Sequence, residues 1–598
     1  MKNAIESIQL NTKEFLIDGI GKITNYQEAN VLISNLSNID TFFRNQDDFS
    51  TLLELLKPTS VICEKTDRRE YGDFQTPSLL TNSICSYIVN GGISPDILIE
   101  PTFGKGSFII SALEYFPRLK AVYGIEIDDS YYWQTKFAIL ELFINEPSTN
   151  KPRIFLYLDN IFNFDLGIIS KSIGDNSVLI LGNPPWVTNS ELGRLNSNNL
   201  PKKSNLKSLN GLDAITGKGN FDIAEYIILM MLDSFSKYNG YMAILIKNSI
   251  IRNLIYDLPR TNYTINNLTA LSIDAKRSFN ASVEASLFKC DFEHSNSPLI
   301  CKVSSLTSPF LVENEFGWVN DKFISDVVLY EKTMNYDGDC PYIWRQGIKH
   351  DCSKIMELDF INDKYVNGLK EELDIENEPI YGLIKSSDLG SLVIEKPRKY
   401  VIVTQERVGE DTSHLQKKYP KLYQYLTENN ELFDKRKSSI YNDKPPFSIF
   451  GIGNYSFKPY KVAISGLYKR SQFSLIFPDD IKPIMLDDTC YFLGFDDIFE
   501  AIFVWAILNS DQVQQFLKSI VFIDAKRPYT KDILMRIDID KVAQEFTYSE
   551  IINLIGFLDE GLITNITDDK WYEFLEKVNT EKSENKQLSL FEIENGTS

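Results

Sequence analysis

Short apolar runs alternate with polar turns in the first half of the chain, and this pattern predicts an α/β domain. Ile97–Ile99, Val122–Ile125 and Val178–Leu181 are continuous apolar runs, as expected of strands that are buried on both faces. A glycine-bearing turn and a helical stretch, Ile109–Tyr115, follow the first run. The order indicates the first βα turn of a doubly wound sheet, whose ligands bind at the carboxyl ends of the strands.

The periodicity changes on both sides of this domain. Residues 1–68 have a helical period of apolar positions, as in Phe42, Phe43, Leu52 and Leu53, and contain no chemical constellation. Beyond the α/β domain, short strands alternate with turns. The predicted organisation is a helical cap at 1–68, the α/β domain at 69–304, an α+β domain at 305–545, a helical segment at 546–579 and a disordered tail at 580–598.

An acid stands before the glycine turn and a second acid ends the next strand. Glu100 precedes the turn, whose glycines are Gly104 and Gly106, and Glu126 follows Val122–Ile125. The third glycine of the dinucleotide pattern is missing, so a pyrophosphate is not favoured, and an acid here suits a cationic ligand better. Glu126 is placed to accept both hydroxyls of a ribose. Asp159, after a third strand-like run, could accept from an adenine amino group or could equally be a solvated turn residue.

Asn183-Pro184-Pro185-Trp186 follows the run that ends at Gly182, and its residue types fit chemistry at an exocyclic amino group. Such a nitrogen is a poor nucleophile because its lone pair is delocalised into the ring. The Asn183 side-chain oxygen and the Pro184 carbonyl could accept both N–H bonds and favour sp³ nitrogen, and the prolines fix φ so that the acceptors are held in advance. Trp186 offers an aromatic face to a base. On its own, the tetrapeptide could equally be an ordinary turn.

Taken in this order, the motifs resemble those of the amino-methylating DNA methyltransferases of bacterial restriction–modification systems. The resemblance covers about residues 70 to 290 and is closest to the N6-adenine class, in which the catalytic domain precedes the target-recognition domain. It implies a Rossmann-like S-adenosylmethionine-dependent methyltransferase domain at 69–304 and a DNA-binding target-recognition domain at 305–545. It also implies that an adenine is flipped out of double-stranded DNA, because N6 cannot meet a methyl donor inside the stack.

The resemblance assigns roles to individual residues. It implies a catalytic loop at Asn183, Pro184, Pro185 and Trp186, with Trp186 and Phe279 stacking on the flipped base. For Phe279, a core residue before a strand is the commoner interpretation. Glu100 stands where many members carry Asp. The residues implied to hold S-adenosylmethionine are Phe74, Thr76, Pro77, Glu100, Pro101, Gly104, Gly106, Phe108, Glu126, Ile127, Asp159, Asn160 and Asn183.

A long polar insert, Asn189–Asn220, follows the catalytic loop and departs from the family pattern. It carries Lys202, Lys203 and Lys207. Such a segment is either a mobile lid or DNA-contacting arm, or a tolerated insertion, and the sequence leaves both open.

The net charge of −20 and the pI of about 4.8 stand against DNA binding, because phosphate contacts usually come from Lys and Arg. Local fields rather than net charge decide binding. The acidity therefore predicts weak non-specific binding or a partner that supplies further contacts. Each candidate basic patch could also be ordinary solvated surface; the patches are Lys202-Lys203, Lys435-Arg436-Lys437, Lys469-Arg470 and Lys526-Arg527.

Cysteine and histidine usage indicates no metal site. The seven cysteines have no C-x-x-C spacing and the three histidines form no cluster, so we expect reduced thiols in a cytoplasmic protein. The chain has no apolar run long enough to span a bilayer and no N-terminal leader, so we expect no membrane partner.

The polar tail contains Gln587, Leu588, Ser589, Leu590 and Phe591, which resemble the short peptide by which bacterial DNA enzymes dock on the replication sliding clamp. A flexible tail could present the three apolar side chains to a hydrophobic pocket. A tail that folds back on the chain is the alternative.

Three functions compete. The first is adenine-N6 methylation of DNA as the modification arm of a restriction or phage-defence system, with cleavage in a separate chain because we find no Asp…Glu-x-Lys nuclease core. The second is methylation of another amino group: cytosine N4, an RNA adenine or a protein glutamine. The third is a non-catalytic, methyltransferase-like DNA-binding subunit of a defence complex. Asn183 favours adenine within the resemblance, and the intact loop with Glu126 argues against the third.

Overall fold

The computed structural model describes residues 1–6, 8–57, 75–146, 151–187, 222–280, 283–292, 298–556 and 558–580. The chain divides into two compact units, Met1–Phe323 and Ile324–Ser598. Phe74, the insert Asn189–Asn220 and the tail motif Gln587–Phe591 lie outside the described residues.

The first unit contains one ten-stranded sheet. Its strands are β1 Ile97–Glu100, β2 Ala121–Glu126, β3 Arg153–Leu158, β4 Val178–Gly182, β5 Gly240–Lys247, β6 Ile265–Ile273, β7 Ala285–Phe292, β8 Ile300–Ser305, β9 Asn314–Val319 and β10 Lys322–Ile324. They lie in the order β3-β2-β1-β4-β5-β7-β6-β8-β9-β10. β1 to β5 are parallel, and β7 lies antiparallel between β5 and β6.

This topology confirms the predicted Rossmann-like methyltransferase fold. The apolar runs of β1 and β4 are buried along their whole length, as expected for central parallel strands that helices cover on both faces. Strand order reverses between β1 and β4, which makes the carboxyl ends of these two strands the switch point where ligands bind in such sheets.

Helices cover the sheet, and a hydrogen bond of 2.7 Å between Thr81 Oγ1 and Ser111 Oγ joins the two helices that contain these residues. The helices of the first unit are α1 Lys2–Ile5, α2 Leu10–Phe15, a π-helical turn Leu16–Ile20, α3 Tyr26–Ser37, α4 Gln46–Leu55, α5 Ser78–Asn90, α6 Ser107–Tyr115, α7 Asp129–Asn145, α8 Gly167–Ile173, α9 Ile223–Phe235, α10 Asn248–Asp257, a 3₁₀ turn Leu258–Arg260 and α11 Ala275–Phe279.

The N-terminal helices pack on α7 through a buried lysine. The Lys136 ammonium donates to the carbonyl oxygens of Thr41 and Phe42 at 2.8 and 2.7 Å, and it also contacts the hydroxyl of Tyr132. Burial lowers the pKa of Lys136 well below its usual range. Aromatic rings surround it, with Phe42 edge-on to Trp133 at 5.8 Å. The N-terminal helices are therefore part of the first unit's core.

The sheet extends past residue 304, where the sequence placed the end of this domain. β9 pairs antiparallel with β8, and β10 follows at the sheet's edge. The division between the two units accordingly falls after Phe323. The sequences of β9 and β10 resemble those of the short strands in the second unit. Composition therefore gave no sign that the first sheet continues past residue 304.

The second unit is α+β, with a five-stranded sheet in the order β11-β21-β18-β19-β16 and a six-stranded sheet in the order β14-β13-β12-β17-β15-β20. Its strands are β11 Arg345–Gln346, β12 Glu357–Ile361, β13 Lys364–Asn367, β14 Glu372–Leu373, β15 Ile380–Ile384, β16 Val393–Ile394, β17 Lys399–Ile402, β18 Tyr460–Ser465, β19 Ser474–Ile476, β20 Met485–Leu486 and β21 Cys490–Phe495.

Most of the helices of the second unit follow the strands. They are α12 Val327–Thr333, α13 Ser353–Met356, α14 His414–Lys418, α15 Pro420–Glu428, α16 Asn430–Asp434, α17 Ile498–Leu508, α18 Asp511–Ile520, α19 Lys531–Leu534, α20 Ile539–Ala543, α21 Tyr548–Ile555 and α22 Glu560–Ile563, with 3₁₀ turns at Met334–Tyr336, Ser386–Asp388, Ser439–Tyr441 and Asn454–Phe457. Residues 568–580 are also helical. In the described part of the chain, every helix is too short or too polar to cross a bilayer.

Candidate active site

The turn between β1 and α6 requires its glycines. Gly104 and Gly106 have φ of +53° and +74°, a region that side chains other than glycine rarely adopt. A Cβ on Gly106 would lie 2.4 Å from Thr135 Cγ2, and the Thr135 hydroxyl donates to the Gly104 carbonyl at 3.1 Å. Phe108 is buried in the core below the turn. The side chain of Thr135 on α7 therefore packs directly against the turn and leaves no space for a side chain at Gly106.

Glu126 joins the end of β2 to the glycine turn. One carboxyl oxygen accepts the Gly104 N–H at 2.8 Å, and the other accepts the N–H groups of Ile127 and Asp128 at 2.9 and 2.8 Å. Three backbone donors thus fix the orientation of the carboxyl group. The predicted ribose-binding acid lies beside the predicted glycine motif because β1 and β2 are parallel neighbours.

Two buried acids lie together at this edge of the sheet. Burial, and then the nearby charge of Glu126, raise the pKa of Glu100 well above its usual range. Burial raises the pKa of Glu126 to about 7, although its backbone hydrogen bonds act in the opposite direction. Two acids held in this way favour a ligand that brings positive charge, since a cation offsets both burial and mutual repulsion.

The polar side chains at Glu100 and Thr102 fit the methionine part of S-adenosylmethionine, which carries a sulfonium and an ammonium. Within the described residues, Glu100 Oε2 is buried and accepts no hydrogen bond, and the Thr102 hydroxyl is in the same situation. A buried acceptor without a donor is costly unless a ligand supplies one. Glu100 and Thr102 are therefore the groups on which the structure supports a bound cation.

The predicted adenine-binding residues lie at the end of β3. Asp159 is exposed, and its carboxylate accepts the N–H of Asn160 at 2.7 Å. The side-chain oxygen of Asn160 accepts the Phe162 N–H at 3.0 Å. Ile127, which directly follows β2, is exposed. All three follow carboxyl ends of parallel strands, as Glu100 and Glu126 do.

Asn183 leaves the carboxyl end of β4 and is held by Thr76. The Asn183 Nδ2 donates to Thr76 Oγ1 at 3.2 Å, which engages the amide nitrogen and leaves the amide oxygen as the acceptor of this side chain. Thr76 is buried, and Pro77 follows it as the N-cap of α5. The predicted N-terminal cofactor motif and the predicted catalytic loop, which are distant in sequence, therefore meet at one hydrogen bond.

Trp186 and Phe279 contact each other directly. Their ring centroids are 5.2 Å apart at an interplanar angle of 67°, so one ring meets the other edge-on. Trp186 is 5% exposed, and its indole N–H donates to the Leu245 carbonyl at 3.3 Å. The two predicted stacking residues are thus neighbours, but the slot between two parallel rings that a base would occupy is not formed. Phe279 is half-buried and packs against a small apolar cluster that contains Trp186.

Sequence reasoning assigned no role to Lys247 or Gln75, both of which shape the site. Lys247, the last residue of β5, donates to the Trp186 carbonyl at 3.1 Å and to the Asp222 carboxylate at 2.6 Å. Gln75 accepts the Lys105 N–H at 2.9 Å and lies against Gly104. The position of Lys247 at the carboxyl end of a parallel strand was the available signal.

The second unit contains a polar cleft of about 740 Å³. Lys435–Lys437 border it, and His350 lies in its wall, where burial and Lys385 lower the pKa of the imidazole to about 4. Arg527 donates to the carbonyl of Asp488, another wall residue, at 3.4 Å. One predicted basic patch, Lys435–Lys437, therefore borders this cleft, whose wall also contains the acids Asp351, Glu357, Asp487 and Asp488. A second cleft of about 590 Å³ is bordered by Lys469-Arg470.

In the described residues, no group of His, Cys, Asp and Glu side chains has an arrangement that could hold a metal ion. The sheet topology, the glycine turn, the two acids and the Asn183 loop together define an S-adenosylmethionine-dependent methyltransferase of the Rossmann-like class.

No model of a known protein family matches the chain. The chain is 40% identical over 484 residues to the type II methyltransferase M.NspV of Nostoc sp., and the match covers 80% of this chain and 98% of that protein. The chain therefore belongs to the family of type II methyltransferases of restriction–modification systems.

Two solved structures show a distant likeness. The type IIL restriction–modification enzyme MmeI in complex with DNA has a TM-score of 0.49 at 11% identity, over 96% of this chain and 90% of that chain. The type IIG restriction endonuclease BpuSI has a TM-score of 0.33 at 12% identity, over 97% of this chain and 78% of that chain.

Proposed function

We propose that this methyltransferase transfers a methyl group to adenine N6 in double-stranded DNA, as the modification enzyme of a restriction–modification or phage-defence system. The hydrogen bond between Asn183 and Thr76 at the carboxyl end of β4 carries this proposal. It supports a fixed amide oxygen next to the rigid carbonyl of Pro184, which is the acceptor pair that an exocyclic amino group needs.

In this account, Asn183 and Pro184 accept the two N6–H bonds of the target base. The nitrogen then loses conjugation with the ring and its lone pair becomes nucleophilic. Pro184 and Pro185 restrict the loop backbone, so little reorganisation is needed when the base arrives. The proton that leaves nitrogen after transfer is released to solvent, since neutral amide oxygens accept a hydrogen bond but are too weakly basic to keep a proton.

Glu126 would hold the ribose of S-adenosylmethionine, Asp159 and Asn160 its adenine, and Glu100 its charged methionine part. The bound cofactor supplies a methyl group on a positively charged sulfur. The work of this chain is then to orient the donor and to exclude water. The roles of Thr76, Pro77, Pro101, Phe108 and Ile127 in cofactor binding are part of the same proposal, as is that of Phe74.

The target base would be flipped out of the duplex and would stack on Trp186. Because Trp186 and Phe279 are in contact, a sandwich between them requires Phe279 to move from its position at the end of α11. Alternatively, the base stacks on one ring only. Replacement of Phe279 by Ala distinguishes the two cases, because it weakens binding of the base in the transition state only if the base stacks on both rings.

The second unit would recognise the target sequence in DNA. The three adjacent cations Lys435, Arg436 and Lys437 at the border of the polar cleft favour this role, since adjacent basic side chains can contact DNA phosphates even in a strongly acidic protein. The acidic remainder of the surface would keep non-specific binding weak.

The tail motif Gln587–Phe591 would dock on the replication sliding clamp, and the restriction nuclease would be a separate chain. A tail peptide should bind the clamp, and the Leu590→Ala/Phe591→Ala peptide should not. We also propose that the protein acts in the cytoplasm, where its DNA lies.

Nucleoside mass spectrometry of DNA methylated by the purified protein tests the choice of base. The proposal requires N6-methyladenine. N4-methylcytosine would instead identify the second candidate, a methyltransferase with the same loop and a different base, and methylation of RNA alone would exclude DNA as the substrate.

A further inference from the structure

A buried ion pair at the end of β5 holds the backbone of the catalytic loop. The Lys247 ammonium lies 2.6 Å from Asp222 Oδ2 and 3.1 Å from the Trp186 carbonyl oxygen. Its side chain is 19% exposed, and that of Asp222 is 10% exposed. In such a setting a charge-assisted hydrogen bond is stronger and less screened than one at the surface.

Asp222 connects this lysine to a helix. Its other carboxylate oxygen accepts the Ala224 N–H at 3.1 Å and so caps the N-terminus of α9. The next residue, Ile223, donates its N–H to the Val187 carbonyl at 2.9 Å. The residue after Trp186 and the start of α9 are therefore bonded to each other, and Lys247 lies between them.

Trp186 is held twice by the same strand. Its indole N–H donates to the Leu245 carbonyl, and its own carbonyl accepts from Lys247, two residues later in β5. The indole ring and the backbone carbonyl of Trp186 are consequently both hydrogen-bonded to β5, a strand at the centre of the sheet. The prolines at 184 and 185 are rigid, so a constraint at Trp186 is passed back along the loop to Asn183.

We propose that Lys247 and Asp222 form a clasp that positions the Asn183–Trp186 loop for catalysis. Lys247 is a positioning residue, since it contacts the loop backbone and not the reacting atoms. Loss of the ammonium lets the Trp186 carbonyl and the start of α9 separate, and the acceptors for the amino group then lose their alignment. Because small displacements of aligned groups have large effects on rate, kcat should fall much more than the cofactor affinity.

The chain offers a matched control on the neighbouring strand. Lys289 and Asp291 in β7 form an ion pair of 2.7 Å with side chains 14% and 17% exposed. Lys289 pairs with Ala243 in the middle of β5, whereas Lys247 pairs with Ala285 at the end near the catalytic loop. Lys289→Met therefore removes a pair of similar burial from the same sheet, away from the loop.

The inference rests on the proposed methyl transfer, so the test has one readout that depends on activity and one that does not. The first is kcat and KM of Lys247→Met, Lys247→Arg, Asp222→Asn and Lys289→Met at saturating S-adenosylmethionine. We expect kcat of Lys247→Met to fall about 10- to 100-fold with KM for DNA changed less than about threefold, partial recovery in Lys247→Arg, and no effect in Lys289→Met.

The second readout is hydrogen exchange at the amides of Trp186, Val187, Ile223 and Ala224. Exchange there should accelerate in Lys247→Met and not in Lys289→Met, whatever substrate the enzyme proves to use. Unchanged exchange overturns the clasp even if the base specificity is right, and faster exchange supports it even if the base is not adenine. Should Lys247→Met fold poorly, Asp222→Asn decides, because Asn preserves the helix cap: wild-type kcat and exchange in that variant overturn the proposal.

Discussion

The amide of Asn183 donates to the hydroxyl of Thr76 across a hydrogen bond of 3.2 Å. This bond connects the loop after β4 to the residue that precedes the N-cap of α5. It fixes which end of the amide faces the protein and which end is presented as an acceptor. The proposed chemistry depends on this orientation, because an amide turned by 180° would present a donor to an amino group.

Removal of the Thr76 hydroxyl should impair catalysis. Val has the same shape without the acceptor, so in Thr76→Val the Asn183 amide can rotate, and we expect kcat to fall about 10-fold and stability by about 1–2 kcal/mol. Thr76→Ser retains the hydroxyl and should recover most of the activity. Single-turnover kinetics measure the rate of methyl transfer in both variants. Equal rates for the Val and Ser variants would show that the bond has no catalytic role.

A side chain at Gly106 should damage the cofactor site. Gly106→Ala places a Cβ 2.4 Å from Thr135 Cγ2 at φ of +74°. Gly92 has φ of +80° with nothing within 4 Å of its Cβ position, so Gly92→Ala is a control for backbone strain alone. We expect Gly106→Ala to destabilise the protein by about 1–3 kcal/mol more than Gly92→Ala, and to weaken S-adenosylmethionine binding. Similar melting temperatures and affinities for the two variants would contradict this.

The titration of Glu126 should give cofactor binding and stability opposite dependences on pH. Burial raises the pKa of Glu126 in the folded state to about 7, above the ordinary glutamate value of 4.5. Folding therefore favours the protonated form, and that contribution to stability is present below about 4.5 and is lost as pH rises through about 7. The ionised form accepts more hydrogen bonds from a ribose, so affinity for S-adenosylmethionine should rise over the same interval.

Calorimetry at pH 6 and pH 8 measures the affinity. In Glu126→Gln the pH dependence should flatten, whereas Glu114→Gln, which changes an exposed acid on α6, should keep the wild-type slope. An affinity of the wild type that falls as pH rises would mean that Glu126 does not accept from the cofactor.

The basic border of the larger cleft should contact DNA phosphates. Lys435 and Lys437 are exposed beside this cleft, and Lys417 is exposed on α14 without lining it. Lys435→Ala and Lys437→Ala should each weaken binding to all sequences and lower the slope of log K against log salt by about 1. Lys417→Ala should leave both unchanged. An equal effect of all three substitutions would indicate only a general change in net charge.

The parts of the site that depend on local spacing could be predicted from sequence. Glu100, Gly104, Gly106 and Glu126 belong to one strand–turn–helix–strand unit, whose geometry follows from its residue types. The fold class followed from the same runs, because continuous apolar strands must be covered on both faces.

The contacts that depend on tertiary packing could not be predicted. Lys247 is the one charged residue of β5, and only the pairing of β4 with β5 brings it to Trp186. The edge-on contact of Trp186 with Phe279 likewise depends on how α11 packs. The position of residues 314–324 in the first sheet was missed because antiparallel edge strands have the same pattern in either unit.

The most direct test of the central claim is modification sequencing of DNA from a methylation-free bacterial host that expresses this chain, beside the same host with Asn183→Ala. We predict N6-methyladenine within one short sequence motif in the first host and none in the second. Modification that persists unchanged in the Asn183→Ala host, or that falls on cytosine, would contradict the proposed role of the Asn183 loop in adenine methylation.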